Sequence, residues 1–124
     1  MQRILIIEDE YDAAKMLRKR VEDSGYEAIV VYDSDSGSRA VKSEAPDLVL
    51  LDLMLPAKGG DTVLAEMKND PETQNIPVII ITGVIDDRVK ETLFKMGVSG
   101  YLEKPYDPEE LLSSIKNTLK KTEK

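Results

Sequence analysis

The sequence predicts an α/β domain of the (βα)5 kind, a doubly wound parallel sheet of five strands with helices on both faces. Three observations carry that expectation. Short apolar runs alternate with amphipathic segments five times along 124 residues. Three of the runs are continuous in Ile, Val and Leu rather than alternating, the pattern of strands buried on both faces. The length suits one hydrophobic core, so the alternations belong to a single domain.

The predicted strands are Ile4–Ile7, Ala28–Tyr32, Leu48–Leu51, Val78–Ile81 and Val98–Leu102. The first helix places Ala13, Leu17 and Val21 at four-residue spacing, with Ala14 beside them, and ends at Ser24-Gly25. Ala40 and Val41 mark a second helix, stopped by Pro46. Val63, Leu64 and Met67 mark a third, closing before Asp70-Pro71. Val89, Leu93 and Met96 mark a fourth, with Gly97 at its C-terminal cap. The fifth has Asp107 as cap, Pro108 in the first helical position and Glu110 in the third. Leu111, Leu112, Ile115 and Leu119 supply its apolar stripe. Residues 1–121 are expected to form the domain, and 122–124 a frayed tail. Right-handed crossovers favour a flavodoxin-like strand order of 2-1-3-4-5, an expectation that also leans on the resemblance given below.

Composition excludes several classes of function. The net charge of −7 opposes non-specific attraction to DNA, RNA or anionic lipid. Lys15, Arg18, Lys19 and Arg20 cluster on the first helix, and a solvated face is favoured there over a docking patch. No apolar run approaches the roughly 20 residues that cross a bilayer, and Met1–Glu10 does not read as a signal peptide. With no cysteine, disulfides and thiolate metal sites are excluded and a cytoplasmic location is expected. With no histidine, the commonest general base and transition-metal ligand is missing.

Ligands of an open parallel sheet bind at the carboxyl ends of its strands, near the switch in strand order. There the sequence places Glu8-Asp9-Glu10 after the first strand, Asp52 after the third, Thr82-Gly83 after the fourth and Lys104-Pro105 after the fifth. Singly, each has a simpler reading. Asp9 suits a helix cap, Asp52 a turn, Thr82 a strand and Lys104 a solvated surface. Jointly they form the parts of a phosphoryl-transfer site. Clustered carboxylates repel one another unless a cation joins them, and oxygen-only ligands point to a hard ion, Mg²⁺ before Ca²⁺ or Zn²⁺. Lys104 and the Thr82 hydroxyl would contact the same phosphoryl group, and Asp52 would be the nucleophile.

Four segments carry a family resemblance: Ile6-Ile7-Glu8-Asp9-Glu10, Pro46–Pro56 around Asp52, Ile79-Ile80-Ile81-Thr82-Gly83, and Gly100–Tyr106 around Lys104. Together they closely resemble the receiver domain of two-component response regulators, across essentially the whole chain. The resemblance implies that Asp52 accepts a phosphoryl group from a phosphohistidine on a sensor histidine kinase or phosphotransfer protein. It implies Mg²⁺ held by Asp9 and Asp52, with Glu8 acting through water and the Met54 carbonyl adding a ligand. Thr82 and Lys104 would engage the phosphoryl group, Tyr101 would be the aromatic switch, and the Lys104–Pro105 peptide would be cis. The domain would catalyse only its own phosphorylation and dephosphorylation. The surface of the fourth helix, fifth strand and fifth helix would dock a downstream protein or a second copy. No direct nucleic-acid binding by the domain and no membrane contact are expected.

The chain departs from the family pattern at several positions. Glu8 replaces a commoner Asp and lengthens the metal arm. Gly59 stands where Asp often precedes Gly, giving a looser loop, and Gly83 replaces a common Ala. Met54 and Val84 are both apolar where such residues gate the attacking water, so a long-lived phosphorylated state is expected. A stand-alone regulator is the simplest expectation, although a receiver cut from a DNA-binding regulator or hybrid kinase would read the same. A haloacid-dehalogenase-like phosphatase would want a second acid two residues after its nucleophile, and Asp52-Leu53-Met54 lacks it. A nucleotide- or flavin-binding domain would want a Gly-rich turn after the first strand, where this chain has three acids. The remaining alternative is a receiver-like docking module that works without phosphorylation.

Overall fold

A computed structural model describes residues 1–83 and 85–122. Val84, Glu123 and Lys124 lie outside the described residues. Among these, the elements run β1 (Arg3–Ile7), α1 (Tyr11–Asp23), β2 (Glu27–Val31), α2 (Ser34–Ser43), β3 (Leu48–Leu51), α3 (Gly60–Lys68), β4 (Val78–Thr82), α4 (Asp87–Lys95), β5 (Gly100–Glu103) and α5 (Pro108–Thr122). The strands pair in parallel in the order β2-β1-β3-β4-β5. This is the flavodoxin-like order expected.

The continuous apolar runs are explained by burial on two sides. Leu5, Ile7, Val49, Leu51, Val78 and Ile80 belong to the core cluster shared with α2, α3 and α4. Their neighbours Ile4, Ile6, Leu48, Leu50, Ile79 and Ile81 belong to the opposite cluster, with α1 and α5. Strand side chains alternate faces, so a strand covered on both sides must be apolar at every position.

Helix ends follow local chemistry. Asp33 caps α2 by accepting from the Ser36 N–H at 2.7 Å, and Asp86 caps α4 by accepting from the Val89 N–H at 2.9 Å. The Asp107 carboxylate accepts from the Glu109 N–H at 2.9 Å, as its position before Pro108 predicts. Gly97, at φ +86°, turns the chain out of α4, and Val98 N–H donates back to the Leu93 carbonyl. That closure keeps Val98 out of β5, which begins two residues later than its apolar run predicts. Val98 is nevertheless buried, in the turn. Three of the four α1 bases lie on a solvated face: Lys15, Arg18 and Lys19 are exposed, with Lys19 paired to Asp23 and Arg18 to Glu22 one turn on, whereas Arg20 is half-buried against Tyr106. No helix of the described residues is long and apolar enough to cross a membrane.

The switch in strand order lies between β1 and β3. Their register sets Ile7 beside Leu51, and Asp52 N–H donates to the Ile7 carbonyl at 3.1 Å. The residues that follow, Glu8 and Asp52, therefore leave the sheet side by side.

Candidate functional site

Glu8, Asp9 and Asp52 each bring one carboxylate oxygen within 4.8 Å of the others. Glu8 is almost fully buried, Asp52 is buried and Asp9 is exposed. Local backbone aims two of them. The Glu10 N–H donates to Glu8 Oε2 at 3.2 Å, and the Met54 N–H donates to Asp52 Oδ1 at 2.9 Å. Asp9 is not a helix cap: Glu10 holds the cap position of α1, and no side chain caps that helix.

Lys104 reaches this group from the end of β5. Its Nζ lies 2.5 Å from Glu8 Oε1 and 2.9 Å from Asp52 Oδ2. Its own N–H donates to the Thr82 carbonyl at 2.9 Å, which ties the lysine to the end of β4. The following peptide, Lys104–Pro105, is cis. Burial pushes the Glu8 carboxyl above the usual carboxylate range, and the neighbouring Asp52 charge adds to this. The hydrogen bonds from Lys104 and the Glu10 N–H offset it only in part. Burial pulls the Lys104 ammonium down, but hydrogen bonds to Glu8 and Asp52 and their charges outweigh it, and its pKa is raised. The ammonium is therefore charged at neutral pH, held between two acids.

Thr82 is fully buried at the end of β4. Met54 is 60% exposed at the rim. Tyr101 is half-buried on β5, edge-on to Phe94 at 5.7 Å between ring centroids, with the Lys90 ammonium 5.3 Å from its own centroid. Glu8, Asp9, Asp52 and Lys104 thus form one contiguous group. Thr82 joins it through the Lys104 backbone and Met54 through its N–H. Tyr101 packs with α4 residues instead.

Sequence reasoning missed the part played by Gly60. Gly59-Gly60 reads as a loose loop, yet Gly60 opens α3 directly against the Asp52 carbonyl and the Leu53 Cα. Its N–H donates to the Leu53 carbonyl at 3.0 Å. A Cβ would have no room there. The only sequence signal was a second glycine that a flexible turn does not require.

The donor set is chemically selective. Three carboxylates converge, and the chain has neither histidine nor cysteine to offer a softer metal. Such a set suits a hard, oxygen-seeking divalent cation, which would offset the burial and, to a lesser degree, the neighbouring Asp52 charge that raise the Glu8 carboxyl.

Residues 4–116 match the family model for the response regulator receiver domain. The chain belongs to that family. Receiver domains of two-component response regulators are signalling switches rather than classical enzymes, and they bind Mg²⁺ at an acidic pocket, which here corresponds to Glu8, Asp9 and Asp52. The receiver domain is 36% identical over 126 residues to the DNA-binding dual master transcriptional regulator RpaA of Synechocystis, covering 100% of this chain and 52% of that protein. It is 34% identical to the phosphate regulon transcriptional regulatory protein PhoB of Escherichia coli, covering 97% of this chain and again 52% of the relative. The chain therefore spans about half the length of the curated relatives it matches. Among solved structures it is similar to a CheY-like receiver domain protein of Methanospirillum hungatei, with a TM-score of 0.89 and 27% identity, covering 98% of this chain and 95% of that one. A receiver domain of a signal transduction histidine kinase from Syntrophus aciditrophicus gives a TM-score of 0.91 at 27% identity, covering 100% and 94%.

Proposed function

We propose that this receiver domain is a phosphorylation-operated switch in which Asp52 takes a phosphoryl group from a phosphohistidine of a sensor histidine kinase or histidine phosphotransfer protein. The observation that carries this reading is the Lys104 ammonium between Glu8 and Asp52, with the Asp9 carboxylate beside them. The site has a nucleophile, a fixed cation and spare carboxylates in one place. Phosphoryl transfer asks for little else, because positioning and charge neutralisation supply most of its catalysis.

Glu8, Asp9, Asp52 and the Met54 carbonyl would hold Mg²⁺, Glu8 through a water molecule. Bound there, the ion supplies positive charge to the carboxylates and to the phosphoryl oxygens. The Met54 N–H fixes one end of the Asp52 carboxylate, and Lys104 fixes the other. In the transfer, an Asp52 oxygen forms a bond to phosphorus while the phosphorus–nitrogen bond breaks, and its electron pair stays on the donor imidazole. Lys104 exchanges its Asp52 contact for a phosphoryl oxygen, and the Thr82 hydroxyl donates to another. Movement of Thr82 draws Tyr101 inward, away from Phe94 and Lys90. That changes the surface of α4, β5 and α5 offered to a downstream protein or to a second copy of the domain.

The domain catalyses only its own phosphorylation and dephosphorylation, and it acts in the cytoplasm, a reading its lack of cysteine supports. Its net charge of −7 argues against direct nucleic-acid binding by these residues. RpaA and PhoB are transcriptional regulators about twice as long, and within such a protein the same switch would report to a separate DNA-binding part.

Intact mass tests the reading after incubation with Mg²⁺ and acetyl phosphate, beside Asp52→Asn and an EDTA control. One phosphoryl gain, confined to wild type with metal, is expected. A folded wild type that gains nothing from several donors would instead be a docking module working without phosphorylation.

A further inference from the structure

The loop between β3 and α3, residues 52–59, begins with the proposed phosphoacceptor and carries the N–H that orients it. Its conformation is not relaxed. Ala57 sits at φ +67°, a left-handed conformation that costs a non-glycine residue about 1 kcal/mol and persists only where the surroundings hold it. Three ties hold this loop. Leu55 is buried in the core. The Ser34 hydroxyl of α2 donates to the Pro56 carbonyl at 3.3 Å. The third is Lys58, which fastens the loop to two helices at once. Its Nζ donates to both Glu66 oxygens of α3 at 3.0 and 3.1 Å and lies 3.5 Å from Asp35 of α2. Glu66 is itself fixed from α2 by the Ser38 hydroxyl at 2.6 Å. Hydrogen bonds from Ser38 first, and then from Lys58, hold the Glu66 carboxyl below its usual range.

We propose that Lys58 is a positioning residue for the phosphoacceptor site: its clasp on Glu66 and Asp35 holds the β3–α3 loop where the Met54 backbone aims Asp52 and completes the Mg²⁺ site. The proposal rests on the Mg²⁺-dependent reading of the site given above. It assigns a role to a charge four residues from Met54 that touches none of the clustered acids. It also makes metal affinity answerable to the seating of α2 against α3.

Simple electrostatics predicts the opposite sign. Removing a cation from a molecule of net charge −7 makes the whole field more negative, and so strengthens Mg²⁺ binding if Lys58 acts only as a charge. Loss of positioning weakens it. The test is Mg²⁺ affinity by isothermal titration calorimetry without phosphodonor, on wild type, Lys58→Met, Lys58→Ala, Lys58→Arg and Lys42→Ala. Lys42 pairs with Asp70 at 2.8 Å, between α2 and the turn after α3, without touching the loop. It therefore controls for net charge and for general loosening of that face. Lys58→Met and Lys58→Ala are expected to weaken Mg²⁺ binding about threefold or more, with unchanged far-ultraviolet circular dichroism. Lys58→Arg should restore affinity to near wild type, and Lys42→Ala should leave it equal or tighter. Equal or tighter binding by both Lys58→Met and Lys58→Ala, with wild type binding normally, overturns the role of Lys58 and leaves the switch reading intact. A wild type that binds no Mg²⁺ overturns both.

Discussion

Gly60 stands so close to Asp52 that a methyl group on its Cα would overlap the Asp52 carbonyl oxygen. The start of α3 and the backbone of the proposed phosphoacceptor are therefore in direct contact, with no side chain between them. Gly60→Ala is expected to push them apart at a cost of about 1–3 kcal/mol, and to slow phosphorylation by acetyl phosphate in the protein that remains folded. Urea unfolding reads the first effect and intact mass against time the second. A variant as stable and as fast as wild type would mean that α3 can move aside freely.

Among the described residues, Lys104 is the cation that pairs with Glu8 and Asp52. In Mg²⁺-free buffer, Lys104→Ala strands a buried Glu8 carboxylate beside Asp52 and should cost about 3 kcal/mol. Saturating Mg²⁺ should return much of that loss, because a bound cation replaces the missing charge. Thermal unfolding with and without Mg²⁺ checks it, the variant being expected to gain more from the metal than wild type does. Equal gains would indicate that Lys104 and the metal do not share the same carboxylates.

Away from the site, two surface carboxylates set an acid limit. Hydrogen bonds from Ser36 lower the Asp33 pKa at the cap of α2, and the Lys42 hydrogen bond lowers that of Asp70. Both fall below the ordinary value of 3.8. A depressed carboxylate binds its proton less readily when folded. Its stabilisation is complete above 3.8 and is lost as the pH falls through the folded value. The Asp33→Ala/Asp70→Ala double variant should therefore melt below wild type at neutral pH. The two melting curves should converge as the pH falls through the lowered folded values. A gap that stays constant through that fall would assign the loss to packing rather than charge.

Met54, 60% exposed beside Asp52, offers no polar side-chain atom to guide a water molecule toward a phosphoryl group there. A slow loss of phosphate is expected for wild type in Mg²⁺ once the donor is removed. Met54→Asn should shorten the half-life severalfold by giving the water a hydrogen-bond partner. Mass spectrometry over time measures both. A wild type that is already fast, or a variant no faster, removes Met54 as a barrier to water. Val84, the other apolar residue expected to act this way, lies outside the described residues.

Much of the site was legible because of one geometric fact: in a parallel sheet, the residue after each buried run is delivered to the same edge. Glu8 and Asp52 follow such runs, Thr82 ends one and Lys104 follows the fifth strand, so their spacing in the chain encodes their nearness in space. Asp9 was ambiguous, since an acid before a helix usually caps it, and only the observed cap at Glu10 separates the two roles. Lys58 and Glu66 were not legible. Both are charged residues eight positions apart on a loop and a helix, and no periodic signal links them. Gly60 was hidden for another reason, because a glycine needed for close approach and a glycine needed for flexibility look identical in sequence. The start of β5 was overrun because burial continues through Val98, although the backbone there is still closing α4.

Lys104 and Glu8, bonded across the site, are 96 positions apart in the chain. Synthesis delivers them at opposite ends of the process, since a chain emerging from the ribosome exposes Glu8, Asp9 and Asp52 well before Lys104. Until the lysine arrives, the acids lack their fixed counter-charge, and β4 lacks one of its two neighbours. A contact of such long range also closes late in refolding, after the local helices have formed. On the proposed reading, an incomplete or partly folded copy would hold Asp52 without a working site, and would not drain phosphoryl groups from a donor before it could pass a signal on.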